Sequence, residues 1–473
     1  MPNSPPVQRT EPHASLSVFD AVMIMVGLVV GIGIFRTPSI VAANVDTELE
    51  FILVWIAGGL ATLIGALCYA ELAAAHPHAG GEYHFLSRAY GRPVAVLFGW
   101  ARGSVMQTGA IAGVAFVLGD YLAQLFPFGS HGPAIFAALS IIIFTAINVA
   151  GTGHGKRLQV AITFVELGAV AAIILIGFSF SGSNEPTTLS DPSTNAALGM
   201  AMIFVLLTYG GWTEVAYLTG EIKDAPRKIA RVLVLGTGVI AGLYVAANIA
   251  MLAVLGLDGL RASDAVATDM MRIAIGPSGA VIVTLAVILA AISTLNATIF
   301  TGARVYYAMA RDLTLLPRVG EWSKRGETPA NGLIMQAGVA LALVGIGAGT
   351  RDGFQAMVDY TAPVFWGFLL LMGGAVFVLR WKQPASSRPF SVPFYPLTPV
   401  LFCLTCAYML HGSLAYTGFA ALLGIAMLAL GAPLLKFQRQ DSATALSVPP
   451  RPQPALSPTH QATQKDVHHV DAS

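Results

Sequence analysis

Gly27-Leu28-Val29-Val30-Gly31-Ile32-Gly33-Ile34-Phe35-Arg36-Thr37-Pro38 sits midway along an apolar run at 18–43. Three glycines and a proline occupy the place where a membrane helix should run unbroken. Backbone that leaves helical geometry in lipid strands N–H and C=O groups at several kcal/mol each, so a break survives only where it is buried in protein or lines a cavity. The break sets two half-helix ends against each other. The N-terminal end of the second half offers free N–H groups and a positive dipole end, which suit a carboxylate. The carbonyls ending the first half suit an ammonium or a metal cation. The plain alternative is a kinked helix whose glycines serve close packing. A second interruption weighs against that alternative: Thr208-Tyr209-Gly210-Gly211-Trp212-Thr213 cuts the apolar run at 196–219. The two interruptions fall in the first and sixth hydrophobic segments. Paired interruptions at corresponding places of two halves point to a transporter's binding site.

The chain has 473 residues, 55% hydrophobic and 11% charged. A soluble domain carries about a quarter charged residues, so the composition belongs to a membrane protein. A net charge of +1 gives no footing for a nucleic-acid partner. The first fifteen residues are polar and proline-rich and lack a short apolar core with a cleavage site, so no removable signal peptide is expected. All three cysteines, Cys68, Cys403 and Cys406, fall inside apolar segments and read as small buried hydrophobes. No loop holds a cysteine, so no disulfide-linked partner subunit is expected. His76 and His78 are two apart in a loop and share no helix face, so neither a metal nor any other cofactor is expected.

A spanning helix needs about 20 apolar residues. Twelve candidates meet this: 18–43, 51–74, 94–124, 134–150, 158–180, 196–219, 232–256, 278–308, 332–349, 357–380, 396–415 and 417–436. Lysine and arginine set their orientation. With the N-terminus inside, the cytoplasmic connections hold Arg88, Arg92, Lys156, Arg157, Lys223, Arg227, Lys228, Arg231, Arg311, Arg318, Lys324, Arg325, Arg380, Lys382 and Arg388. The opposite loops hold only Arg261, Arg272 and Arg351 among many carboxylates. Both termini are therefore expected in the cytoplasm, with a tail at 1–17, a twelve-helix body at 18–436 and a disordered tail at 437–473. Special segments at positions 1 and 6 suggest two inverted repeats of five, 18–180 and 196–380, plus two extra helices at 396–436.

Four stretches carry a family resemblance. They are Gly31-Ile32-Gly33-Ile34-Phe35 with Pro38; Tyr69-Ala70-Glu71-Leu72 with Pro77, Gly80-Gly81-Glu82-Tyr83, Tyr90-Gly91 and Trp100; Tyr209-Gly210-Gly211-Trp212 with Glu221, Pro226 and Arg227; and Leu379-Arg380 with Arg388-Pro389-Phe390, Val392-Pro393, Tyr395-Pro396 and Pro399. In these the chain resembles the amino acid–polyamine–organocation superfamily, particularly its L-amino-acid-transporter-like branch. The resemblance implies an all-α LeuT-like fold with helices 1 and 6 broken, and alternating access for amino acids or related amines. It implies that a substrate carboxylate meets backbone amides around Ile32, Gly33 and Ile34. The ammonium would meet carbonyls near Val29, Val30, Leu207 and Gly210 around Gly31, and Trp212 and Thr213 would face the substrate side chain or an inner gate. The chain departs from the pattern at Ile32, Leu207 and Thr213, which favour a less polar pocket.

Ionisable groups in a bilayer cost energy and mark function. Four are read as deep: Arg36, Arg102, Glu166 and Glu214. Glu166 stands where many relatives carry a lysine; as a carboxylate it can carry a proton, or attract a cation beside Ser293 and Thr294. Glu214 can cap the second half of its helix or take part in coupling. Similar depth suggests an Arg102–Glu166 or an Arg102–Glu214 ion pair. Arg36 can belong to an outer gate, with snorkelling to water as the plain account. Arg304 and Arg311 are placed at the end of the eighth segment, and Glu71, Glu82 and Glu221 read either as latches on cytoplasmic arginines or as surface carboxylates. The reading is an integral plasma-membrane transporter without catalytic residues. Proton symport ranks first, ion-independent exchange second and sodium coupling third, with a nutrient sensor of the same fold as a further alternative.

Overall fold

The first helix starts where its sequence supplies a cap. Ser17 Oγ accepts from the Asp20 N–H at 3.1 Å, and the Asp20 carboxylate accepts from the Ser17 N–H at 2.9 Å, a capping box that opens α1 (Val18–Val29). The computed structural model describes residues 16–78, 80–150, 155–180, 198–220, 222–313, 318, 319, 321, 328–350, 352–384, 388–416 and 418–437. After α1 the helix resumes as α2 (Gly33–Ala42), bent by 50°. Thr47 and Glu50 form a second capping box at the start of α3 (Glu48–Ala75). Next come α4 (Gly81–Tyr90), α5 (Arg92–Ala101), a π-helical turn (Arg102–Met106) and α6 (Gln107–Leu125). The last three run on as one stretch, Arg92–Leu125.

Then follow α7 (Gly132–Ala150), α8 (Gly155–Ser179) and α9 (Leu198–Thr208), which gives way to a 3-10 helix, Trp212–Gly220. α10 (Ala225–Ala262) is kinked at Gly256. The chain continues through α11 (Val266–Ile275), α12 (Pro277–Asp312), α13 (Ala330–Gly347), α14 (Gly353–Lys382), α15 (Leu397–Tyr416), α16 (Gly418–Ala429) and a last 3-10 turn, Ala432–Phe437.

Among the described residues the chain is helical throughout and forms no strand. Ten helical stretches are long and apolar enough to cross a bilayer, or eleven when the bent pair α1–α2 is one span. The described apolar part of α8, Phe164–Ser179, is shorter. Leu139, Ile142 and Ile143 on α7, Leu175 on α8, and Ile282 and Leu285 on α12 face outward, as suits helices that meet lipid. Aromatic side chains such as Trp55, Tyr69, Phe204, Tyr209 and Tyr244 are buried instead.

Two helices depart from the sequence reading. α4 and α11 are ten residues each, too short to span, and the search for apolar runs of about 20 passes over them. The seventh segment, expected at 232–256, is the longer α10, which continues past its kink. The tails expected at 1–17 and 437–473 lie outside the described residues except for 16, 17 and 437. Glu221, Arg351, Lys324 and Arg325 also lie outside them, as do the side chains of Arg304 and Arg311.

Packing sorts the helices into two groups. α2 packs against α9 and α10, α9 against α3, and α3 against α10, while α6 packs against α7, α12 and α14. Connections around α4, before α10 and after α14 carry Arg92, Lys223, Arg227, Lys228 and Arg388, and contacts of Thr219 with His78 O, Lys382 with Ala89 O and Arg388 with Glu71 gather them into a basic face. The opposite, acidic face carries Asp46, Glu48, Asp258, Asp264 and Asp269.

Glu71 ties the two ends of the chain together at the basic face. It is 3% exposed and accepts from Arg380 Nε and Nη2 at 2.7 and 2.6 Å and from the Val392 N–H at 2.7 Å. Arg388 Nε stands 3.7 Å away, and the Arg380 guanidinium lies 3.8 Å over the Tyr395 ring. Glu71 is thus a buried clamp and not a surface carboxylate. Glu71→Ala leaves the arginines without their shared anion and is expected to cost about 3 kcal/mol or more. The check is a lower melting temperature of the detergent-solubilised protein.

Candidate functional site

The first break spans residues 30–32. The Val30 N–H still reaches Val26 O at 2.7 Å, and the Gly31 N–H turns back to Val29 O at 2.8 Å. Val29 O also accepts from the Tyr244 hydroxyl of α10 at 2.7 Å. Across the break, the first turn of α2 presents the N–H groups of Gly33 and Ile34, which have no carbonyl one turn earlier to bond. A carbonyl end and an N–H end therefore face one another.

At the second break the Gly210 N–H bonds Leu207 O at 2.9 Å, and Gly211 takes φ +99°, a conformation that favours glycine. The two breaks touch. A Cβ on Gly211 would stand 3.0 Å from Leu28 O, one on Gly33 3.2 Å from Thr208 Cγ2, and one on Gly31 3.1 Å from Thr294 Oγ1. At Gly211 backbone meets backbone, while Gly33 and Gly31 make room for the side chains of Thr208 and Thr294. Thr208 Oγ1 and Thr37 Oγ1 are hydrogen-bonded at 2.7 Å, which joins α9 to α2 beside the contact.

A cavity of about 200 Å³ opens at this meeting point. Of the expected binding residues, Val29, Gly31, Ile32, Gly33, Leu207 and Gly210 line it, as does Thr294 from α12. Val30, Ile34, Trp212 and Thr213 lie outside the lining. Val30 and Ile34 are turned into the packed interior. Trp212 sits against Tyr69, ring centroids 4.7 Å apart and edge to face, where the 3-10 helix has already moved towards the basic face. The far wall was not legible in the sequence: it consists of Gly109, Ala110, Gly113 and Val114 of α6 and Phe354, Met357, Val358 and Thr361 of α14. The spacing of Gly109 and Gly113, one helical turn apart, was the available signal.

Between the cavity and the basic face lies a buried charge cluster. Arg102, 7% exposed, opens the π-helical turn and donates from Nη1 to Glu82 at 2.8 Å and from Nη2 to Glu214. Glu82 also accepts from the Tyr69 hydroxyl at 2.7 Å and the Tyr217 hydroxyl at 3.0 Å. Arg102 therefore pairs with Glu214 and not with Glu166. Its second partner, Glu82, read either as a latch on a cytoplasmic arginine or as a surface carboxylate, is buried and holds Arg102.

Arg36 mirrors this arrangement towards the acidic face. It is 7% exposed, so it does not snorkel. Nη2 donates to Asp352 Oδ2 at 2.5 Å, and Nη1 lies 3.8 Å from Asp264 Oδ1. The other Asp352 oxygen, Oδ1, caps α14 by accepting the Gln355 N–H at 2.9 Å. One carboxylate thus starts a helix and holds an arginine.

Glu166 stands apart on α8. It is 1% exposed and hydrogen-bonded to Ser293 of α12, and its Oε2 has no hydrogen-bond partner. Two further carboxylates inside long apolar helices, Asp120 of α6 and Asp359 of α14, escaped the count of four deep charges; Asp359 Oδ1 is buried without a partner. Among the described residues no group of three His, Cys, Asp or Glu side chains is placed to hold a metal.

The family model described as amino acid permease matches residues 16–430. The chain is similar to the b(0,+)-type amino acid transporter 1 of Mus musculus, 28% identical over 412 residues that cover 85% of this chain and 83% of the relative. It is similar to the serine/threonine exchanger SteT of Bacillus subtilis, 26% identical over 418 residues covering 86% and 93% of the two chains. It is also similar to the human large neutral amino acids transporter small subunit 2, 28% identical over 432 residues covering 89% and 79%.

Three histidines lie around the connection into α4, the helix that carries Glu82. His76 Nδ1 lies 3.0 Å from Arg88 Nη1, the His78 and His84 rings stack at 4.2 Å, and Thr219 Oγ1 lies 3.3 Å from His78 O. Burial, with Arg88 adding repulsion, pushes His76 down to about 4; burial beside His78 pushes His84 down to about 3. The folded chain therefore holds both neutral, while the unfolded chain takes up their protons near pH 6.5. Stability is lost as the pH falls from about 7 towards 4. The melting temperature is expected to drop between pH 7.5 and pH 5, and His84→Gln to shrink that drop. An identical pH dependence in the variant would remove His84 from the explanation.

Proposed function

The chain belongs to the amino acid permease family, and on that premise we propose that it is a secondary transporter of amino acids with uncharged side chains, working by alternating access. The observation that carries this reading is the direct contact of two helix breaks beside a cavity. The substrate carboxylate is read at the N–H groups of Ile32, Gly33 and Ile34, and the ammonium at the carbonyls of Val29, Val30, Leu207 and Gly210. The relatives are transporters, and no covalent chemistry is asked of the chain.

The architecture of this reading is twelve spanning helices in the plasma membrane, both termini cytoplasmic, with 18–180 and 196–380 as inverted repeats and 396–436 appended. The fifth span is α8 and the twelfth α16 with its 3-10 turn. The excess of lysine and arginine on the basic face supports the orientation. Two arginine clusters act as gates: Arg36 with Asp352 and Asp264 on the outer side, and Arg102 with Glu82 and Glu214 on the inner side. Arg36 of α2 reaches the start of α14, and Arg102 before α6 reaches α4 and the 3-10 helix, so each cluster must part for its side to open.

Proton symport is the preferred driving mode, with Glu166 as the carrier. A fully buried carboxylate with one oxygen unpartnered, bonded to Ser293 beside the cavity-lining Thr294, supports this assignment. Ion-independent exchange is the second reading, favoured by the likeness to an exchanger.

The test is uptake of a labelled amino-acid panel by proteoliposomes. Acid outside is expected to accelerate uptake, and Glu166→Gln to remove that acceleration. Unchanged uptake after the gradient collapses, with stimulation by internal amino acid, would replace symport with exchange. Gly31→Leu drives its side chain at Thr294 and is expected to abolish uptake and ligand-induced thermal stabilisation; full activity would move the site elsewhere.

A further inference from the structure

The cavity has two chemically different sides. The break side carries the backbone poles. The opposite side, between α6 and α14, carries Gly109, Gly113, Phe354, Met357, Val358 and Thr361. Among the described residues no ionisable side chain lines any part of the cavity. The Thr361 hydroxyl already donates to Val358 O at 3.2 Å, which leaves its methyl as its apolar contribution. The hydroxyls of Thr37 and Thr208 are bonded to each other on the break side.

Resting on the transport reading above, we infer that the α6–α14 side is an apolar side-chain chamber whose length limit is set by Gly113 and Met357, so that the substrate is an amino acid with an aliphatic or thioether side chain. A charged side chain there would lose its water with no partner in exchange. A hydroxyl would meet the Phe354 ring, the Met357 and Val358 side chains and a Thr361 hydroxyl whose proton is already given to Val358 O. Such a pocket rejects an added hydroxyl modestly, by up to about a hundredfold, because nothing in it repels the group beyond its lost hydration.

The glycines set the dimensions. A Cβ on Gly109 would overlap the Thr361 methyl, so α14 sits as close to α6 as that glycine allows. A Cβ on Gly113 would stand 3.5 Å from Met357 Cβ and 3.5 Å from Phe354 Cδ2, ordinary contact that fills space without forcing the helices apart. Phe354 in turn leans on Phe204, ring centroids 6.3 Å apart, which closes the chamber on a second side. Gly113→Ala therefore shortens the chamber by one methyl group, and Met357→Ala lengthens it.

The experiment uses the full chain in liposomes, with labelled leucine and labelled alanine as probes. Unlabelled valine, isoleucine, methionine, serine, threonine, lysine and glutamate compete. Valine, isoleucine and methionine are expected to compete at concentrations about ten- to a hundredfold below serine and threonine, and lysine and glutamate least of all. Gly113→Ala is expected to raise the ratio of the leucine KM to the alanine KM about tenfold, the effect of one methylene in a filled pocket. Met357→Ala is expected to lower the same ratio. A merely structural role for these positions would move both probes and both variants together, and that result overturns the inference. So does competition by serine or threonine that equals or exceeds that of valine and methionine, which leaves amino-acid transport standing. Absence of uptake and competition for every amino acid overturns the transport reading, and the chamber with it.

Discussion

Peptide groups that leave helical geometry inside an apolar slab must find partners, and the remaining structure arranges itself around that demand. At 30–32 and 209–211 the chain gives up the helical ladder twice. Some of the groups released are recovered locally, as with Gly31 N–H on Val29 O and Gly210 N–H on Leu207 O. Others are recovered from neighbours: the Tyr244 hydroxyl on Val29 O is one. The remainder face a cavity. Gly31, Gly33 and Gly211 are glycines because each break presses against something that a side chain would displace.

The same economy governs the buried charges. Arg102 and Arg36 are each held by more than one carboxylate. A buried arginine is tolerable only with such partners, and one that binds groups from different helices must lose them when those helices separate. Asp352 shows how tightly local and global structure are joined, since one of its oxygens starts α14 and the other holds Arg36. Glu166 lies outside both clusters, bonded to Ser293 and with its Oε2 left without a hydrogen-bond partner.

Much of this was legible beforehand, and the parts that were not have definite causes. The breaks could be read because glycine clusters inside apolar runs contradict the lipid environment around them. The Arg102–Glu214 contact could be read as one of two options, since depth along a helix follows from residue count. Glu82 could not, because its inward turn depends on how α4 packs, and α4 was too short to register. Arg36 was thought able to reach water, but whether an arginine snorkels depends on whether a carboxylate such as Asp352 lies nearer. The far wall of the cavity was invisible for a different reason: Gly113, Met357 and Val358 are ordinary residues for a buried helix, and only the approach of α14 to α6 gives them a shared purpose. Trp212 was given by family resemblance to the substrate side chain or the inner gate, and the 3-10 path after Gly211 sets it on Tyr69, whose hydroxyl bonds Glu82.

The central claim is that both ends of a zwitterion are held by unwound backbone. Binding of leucine, of 3-methylbutylamine, which lacks the carboxylate, and of 4-methylpentanoate, which lacks the ammonium, to the purified protein tests it most directly. Each charged pole held by hydrogen bonds is worth about ten- to a hundredfold in affinity. The account predicts that leucine binds and that each single-pole analogue binds at least about tenfold more weakly. An analogue that binds as tightly as leucine would show that the backbone groups assigned to its missing pole have no part in recognition.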